Sequence, residues 1–220
     1  MVLTPIAAPS ILGLFGFAGA TFMVAAHLAG WFGTTQSPLY LFPFAAAFGG
    51  LAQFAAGLFC FRARDGLGTA MHGMWGSFWL AYGLLFLLAA VKVIAIPPGK
   101  FPELGYWFLV LGTITAIGAL ASLAEGMGLF LTLAALATGS AFLAVHYLTG
   151  GMGWQHTGGW VLIGSAVAAT YTAAAMLFES TYGKVILPLG KPKMKANKPG
   201  ERFTRPIEHE SGMPGVRQGQ

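Results

Sequence analysis

Charge is what this chain has least of. Asp, Glu, Lys and Arg together make up 9% of its 220 residues, against roughly 25% in soluble domains. None of them sits midway along the six long apolar stretches that fill the chain from about Pro9 to Phe178. That absence excludes carboxylate or lysine chemistry at mid-membrane, on which most pumps depend. A solute inside the bilayer must be met by hydroxyls, amides, aromatic edges, histidines and backbone. Cysteine is nearly missing as well. A lone Cys60 excludes an intrachain disulfide and a multi-cysteine metal site. The N-terminus has no basic n-region of a cleavable signal, and its first apolar stretch is long enough to remain as a span.

What is present in quantity is apolar surface and glycine. The chain is 56% hydrophobic, with a mean hydropathy of +0.69 and 32 glycines, where glycine is ordinarily about 7% of residues. Small residues let membrane helices approach closely. The long Leu/Phe/Ala runs between the glycines exclude a flexible linker. The chain therefore reads as all-α, a polytopic integral membrane protein with six transmembrane helices.

The expected spans are Ile11 to Phe32, Leu39 to Phe61, Gly73 to Ile96, Tyr106 to Leu123, Gly128 to Leu148 and Trp160 to Phe178. Each is close to the ~20 residues that a helix needs to cross a bilayer. Spans four and five are joined by only a few residues, so they should form a tight antiparallel hairpin. Residues 1–190 make one transport-type domain. Residues 191–220, rich in Pro, Lys and Gly, are expected to be a disordered basic tail.

Six spans put both termini on one side. That side also holds the 2–3 and 4–5 loops and ten of the twelve Lys and Arg residues; Lys92 and Lys100 fall opposite. The positive-inside rule then makes the termini cytoplasmic in a plasma membrane. The basic tail beside a final span suits anionic lipid, not nucleic acid. Trp31, Trp107, Trp154 and Trp160 would form the outer aromatic belt.

Depth can be counted at about 1.5 Å per residue. Phe17 lies some 10 Å above the start of span one by that count. Trp75 and Leu136 fall at similar depth on spans three and five, and Gln53, the mid-span amide, comes down span two to the same layer. Tyr171 sits near mid-membrane, and Thr21 follows just beyond Phe17. Such a ring is either a constriction for a small solute or ordinary packing. Gln53 is either a pore group or one half of a helix–helix hydrogen bond, because a buried amide needs partners. Gly13, Gly16 and Gly19 give span one a smooth face, for packing or for lining a pore. His27, His146 and His156 lie toward the outside and His72 toward the cytoplasm. His27 and His146 could ligate a haem; the histidines could sense pH at an outer mouth; or they bond backbone and water.

Four short motifs then fall in order. The stretch Ala8-Pro9-Ser10-Ile11-Leu12-Gly13-Leu14 resembles the N-terminal signature Asn-Pro-Ala-Pro-Leu-Gly-Leu of the acetate/succinate uptake transporter family. Gly49-Gly50-Leu51-Ala52-Gln53 followed by Ala56-Gly57 is similar to its second-helix motif. Gly76-Ser77-Phe78-Trp79-Leu80 is similar to its third-helix motif, and Gly183 to Gly190 to its C-terminal signature. Pro9, Leu12, Gly13 and Leu14 are the signature positions retained. The resemblance implies a homohexamer of six-helix protomers, each with its own pore for acetate and related small carboxylates. It also implies a constriction of Phe17, Trp75 and Leu136 with a pore-facing Gln53. Ala8 stands where the signature has Asn, and Ile11 where it has its second Pro. Trp75 replaces a frequent Tyr, and Cys60 stands where relatives can have an acidic residue.

With no mid-span Asp or Glu, passive permeation or cotransport of a substrate with its own proton is expected, not pumping. Thr21, Gln53 and Tyr171 are the candidate pore-lining polar groups. No Ser/His/Asp set or metal cluster shares one depth, so the chain should not be an enzyme and should need no cofactor. The rival reading is a haem- or quinone-binding subunit using His27 and His146.

Overall fold

The computed structural model describes residues 7–97, 99–190, 192 and 193, and the backbone of two short strands. These strands, Pro206–Glu208 and Pro214–Arg217, pair antiparallel. The expected disordered tail otherwise lies outside the described residues.

Six helices are long and apolar enough to cross a membrane. They are α1 Pro9–Leu28, α2 Ser37–Ala63, α3 Gly66–Ala90, α4 Pro102–Ser122, α5 Met127–Thr149 and α6 Met152–Tyr182. Pro9 and Pro102 open α1 and α4, where a missing N–H costs nothing. Two helices start well before the expected positions. Asp65 caps α3, its Oδ1 accepting from the Gly68 N–H at 2.6 Å, so α3 begins at Gly66 and not at Gly73. α6 begins at Met152, before the expected Trp160, because backbone hydrogen bonding carries a helix past the end of its apolar run. Gly150 and Gly183, at φ of +81° and +67°, end α5 and α6 in the left-handed cap that glycine adopts without strain.

α2 is not a plain α-helix. Pro43 interrupts its donor ladder, and Ala45–Ala52 forms a π-helical segment. Such segments are rare and concentrate at functional sites. The wider turn changes the angular register of everything after it. Gln53, the first residue beyond, ends up facing inward.

Each helix packs on its neighbour in chain order, and α6 returns to α1, so the six close into a ring. The seam between α3 and α4 is the narrowest. Glycines set the closest approaches. A Cβ at Gly57 would lie 2.7 Å from the Gly73 nitrogen, and one at Gly76 would lie 2.6 Å from the Phe54 nitrogen, so α2 and α3 touch backbone to backbone. A Cβ at Gly16 would overlap the Phe48 carbonyl oxygen, and one at Gly19 would stand 3.5 Å from the Phe48 ring. The smooth face of α1 is therefore a packing surface, Gly16 and Gly19 against α2 and Gly13 against His72 of α3, as membrane helices lacking a hydrophobic drive require. The outer wall shows large apolar groups such as Phe44, Phe48, Leu58, Leu84, Ile117 and Val167. So wide an exposed apolar surface matches lipid, not water.

Candidate functional site

Inside the ring lie two cavities with a side-chain wall between them. The first opens toward the end of the bundle where α1 starts and α6 finishes. It measures about 190 Å³ and is bounded by Leu14 and Phe17 of α1, Gln53 of α2, His72 and Trp75 of α3, Thr132 and Leu136 of α5 and Thr172 of α6. Ser10, Asp65, Glu125 and Leu189 stand at the same end. The second lies toward the far end and measures about 30 Å³; Thr21, Phe78, Trp79, Tyr82, Phe108 and Tyr147 line it. At the roughly 10–15 Å³ that one water needs, the far cavity holds about two waters, whereas the first has room for a small hydrated solute.

Trp75 and Leu136 line both cavities and so form the wall. Phe17 joins them from α1, its ring 6.3 Å from that of Trp75 at an edge-on 67°. All three are buried, at 3%, 3% and 2% exposure. Trp75 is held from behind. Its indole Nε1–H donates to Thr115 Oγ1 at 2.9 Å, and the Thr115 hydroxyl donates to the Leu111 carbonyl at 2.6 Å. Because that hydroxyl proton is committed to Leu111, only its lone pairs face the indole. The lock occupies the one polar atom of Trp75 and leaves an apolar layer.

Buried polar atoms without partners lie on both sides of this layer. Gln53 Oε1 and His72 Nδ1, on residues of the larger cavity, have no hydrogen-bond partner among the described residues; neither do Thr21 Oγ1 and Trp79 Nε1, on residues of the smaller one. A buried polar atom without a partner costs on the order of 1–3 kcal/mol, so such atoms gather where a solute or water can complete them. The helix–helix hydrogen bond weighed for the Gln53 oxygen is not formed.

The residues picked out from sequence separate into two groups. Phe17, Trp75, Leu136, Gln53, Thr21 and Leu14 come together on the two cavities. Tyr171 does not. It is 41% exposed, and its hydroxyl donates to the Pro188 carbonyl at 2.9 Å. Thr172 faces the cavity instead, and one residue is a turn of about 100° round a helix. Tyr171 thereby anchors the segment after α6, whose Leu189 carbonyl accepts from the Gly128 N–H at 2.9 Å. Of the signature residues, Pro9 starts α1, Gly13 backs His72 and Leu12 faces outward.

His72 is buried on the cavity wall and not at the flank, because α3 starts earlier than the apolar run. His27 and His146 each engage a backbone carbonyl through Nδ1 at 3.1 Å, that of Phe32 and that of Gly151. Thr115, Trp79 and Tyr147 were not anticipated. The spacing of Trp75, Phe78, Trp79 and Tyr82 on one helical face was a usable signal. Thr115, a small hydroxyl on an apolar helix, offered none.

A ring of six membrane-crossing helices around two cavities, parted by an apolar layer, defines a membrane transport or channel protein. The chain belongs to the GPR1/FUN34/yaaH family, whose model matches residues 2–191. It is 27% identical over 188 residues to the succinate-acetate/proton symporter SatP of Escherichia coli strain K12, covering 86% of this chain and 97% of that one. A protein of unassigned function from Methanothermobacter thermautotrophicus is also 27% identical, over 82% of this chain and 89% of its own. Among solved structures, that of the bacterial acetate channel SatP superposes with a TM-score of 0.78 at 25% identity, covering 84% of this chain and all of the other. The named relatives are a transporter and a channel, not enzymes. Nothing among these relatives supports the haem reading of His27 and His146.

Proposed function

We propose that this chain carries acetate and related small carboxylates across the plasma membrane, with both termini cytoplasmic and each protomer of a homohexamer holding its own path. The observation that carries the reading is the sealed Phe17–Trp75–Leu136 layer with unpartnered polar atoms on either side. It is supported by kinship to a succinate-acetate/proton symporter and to an acetate channel. In this reading the 190 Å³ cavity is the cytoplasmic vestibule. The solute is held there by Gln53, passes the layer when the Trp75 and Phe17 rings part, and is met by Thr21 and Trp79 beyond.

The layer is apolar, so it disfavours a bare anion: an unpaired carboxylate at mid-bilayer costs at least about 2.5–3.5 kcal/mol. The acid crosses either with its desolvation shared by polar groups on both sides or with its own proton. Neither route needs a proton relay of carboxylates through the protein. The test is uptake of labelled acetate into proteoliposomes, wild type beside Trp75→Ala and Gln53→Ala. Saturable flux, less selective in the first variant and weakened in the second, is expected. Absence of flux from folded wild type would overturn the reading. Imposed proton gradients of either direction then separate the two routes, because flux indifferent to gradient and pH excludes cotransport.

A further inference from the structure

The segment after α6 has no part in the reading above, although Gly183 to Gly190 is one of the four motifs in the sequence. It does not leave the bundle where α6 ends. A Cβ at Gly128, on the first turn of α5, would stand 2.9 Å from Thr172 Oγ1, so the start of α5 lies level with Thr172 of α6. α6 runs on from Thr172 to Tyr182, about 15 Å at the rise of a helix. Gly183, at φ of +67°, then turns the chain. The stretch from Gly183 to Pro188 could span about 20 Å if extended, enough to come back to the level of Thr172.

The return is held at consecutive carbonyls by two different helices. The Tyr171 hydroxyl of α6 donates to the Pro188 carbonyl at 2.9 Å, and the Gly128 N–H of α5 donates to the Leu189 carbonyl at 2.9 Å. The Lys193 N–H then donates to the Leu123 carbonyl, just past α4, at 2.9 Å. Between these ties the Leu189 side chain is half-buried and lines the larger cavity, whereas Val185 and Ile186 are exposed. Glycine makes the room. A Cβ at Gly128 would lie 3.0 Å from Leu189 Cδ2, and one at Gly190, whose φ of +78° already favours glycine, would lie 2.8 Å from Met127 Cβ.

A segment that only capped α5 could do so through its carbonyl, without seating an apolar side chain on the cavity. Leu189 stands at the end that also holds Ser10, Asp65 and Glu125. From Gly128, its neighbour, to Leu136 of the aromatic layer is about 12 Å along α5. A solute entering from that end therefore passes Leu189 before it reaches the layer. Polar groups at a mouth do not measure the length of an aliphatic chain. A fixed leucine does, because one methylene in an apolar pocket changes discrimination about ten-fold or more.

We propose that Leu189 is a specificity-determining residue at the mouth of the larger cavity, limiting the length of the aliphatic acid admitted, and that Tyr171 is the positioning residue that holds it there through the Pro188 carbonyl. This rests on the reading of the chain as a small-carboxylate transporter, and it names what bounds the acids that enter.

The experiment is competition by butyrate against labelled-acetate uptake in proteoliposomes, read as the ratio of the butyrate inhibition constant to the acetate KM. Leu189→Ala should lower that ratio about ten-fold. Tyr171→Phe, which loses only a hydroxyl, should lower it about three-fold, the weight of one ordinary hydrogen bond. The double variant should match Leu189→Ala alone, because Tyr171 acts through Leu189. A ratio between two acids in one variant does not depend on how much protein is folded, so a merely structural role leaves it where it was. An unchanged ratio in either single variant, or a Tyr171→Phe effect undiminished in the Leu189→Ala background, overturns the proposal. If Leu189→Ala does not fold, Leu189→Val carries the same test. Should folded wild type carry no acetate, the transport reading falls first. The seat of Leu189 is then judged by thiol labelling of Leu189→Cys, with Cys60→Ala removing the native thiol. Faster labelling on adding Tyr171→Phe upholds the hold on the segment, and equal rates end it.

Discussion

Thr115→Val tests the lock on the central tryptophan. Valine keeps the shape of threonine and removes one oxygen. Trp75 Nε1–H then loses its 2.9 Å acceptor in a fully buried position. The Leu111 carbonyl also loses the hydroxyl, but its helical partner remains. An unsatisfied buried donor costs about 1–3 kcal/mol. The native orientation of the indole should weaken by that amount relative to orientations in which Nε1–H reaches a cavity, so these gain roughly 5- to 150-fold in population. Two readouts should move together. The melting temperature in detergent should fall, and acetate flux through proteoliposomes should rise as the layer opens more often. Trp75→Phe supplies the control, because it removes the donor as well. In that background Thr115→Val should cost little, giving a coupling energy of about 1 kcal/mol or more. Equal effects of Thr115→Val with and without the indole would refute the argument that this hydrogen bond holds the wall.

Three further outcomes are expected. Gln53→Leu, matched in size but without an amide, should leave the fold intact, as judged by melting and elution, while lowering acetate flux several-fold. Unchanged flux would remove Gln53 from the path. Gly16→Ala drives a methyl into the Phe48 carbonyl of α2; since backbone cannot yield as a side chain can, it should destabilise by roughly 1–3 kcal/mol, read as a lower melting temperature, whereas Gly164→Ala, in mid-helix with open space around it, should leave the melting temperature unchanged or slightly raised. Asp65→Ala removes the cap of α3 and the partner of Ser10 and should cost about 1 kcal/mol, with hydrogen exchange rising at the first turn of α3 and not at its middle.

The limits of hydropathy show at particular residues. α3 and α6 both begin earlier than their apolar runs, because the Asp65 cap and continued backbone hydrogen bonding decide where a helix starts. His72 moved from flank to cavity wall for that reason alone. The haem pair was read from depth, yet each histidine bonds a carbonyl of its own loop. The glycine face of α1 allowed two uses, and only the positions of Phe48 and His72 show that it packs on α2 and α3.

The chain's own residues determined the number of spans, their approximate depth and the layer shared by Phe17, Trp75 and Leu136. Bilayer thickness and a fixed rise per residue leave little freedom along the helix axis. Rotation about that axis was decided only by the tertiary structure. One residue turns a side chain by about 100°, and neither hydropathy nor lipid distinguishes one apolar face from another. Whether Gln53 pointed inward hung on a π segment upstream, and whether Thr172 or Tyr171 did hung on how α6 meets α1 and α5. The Thr115 acceptor that fixes Trp75 lies 40 residues away in the chain, a contact that no local pattern encodes.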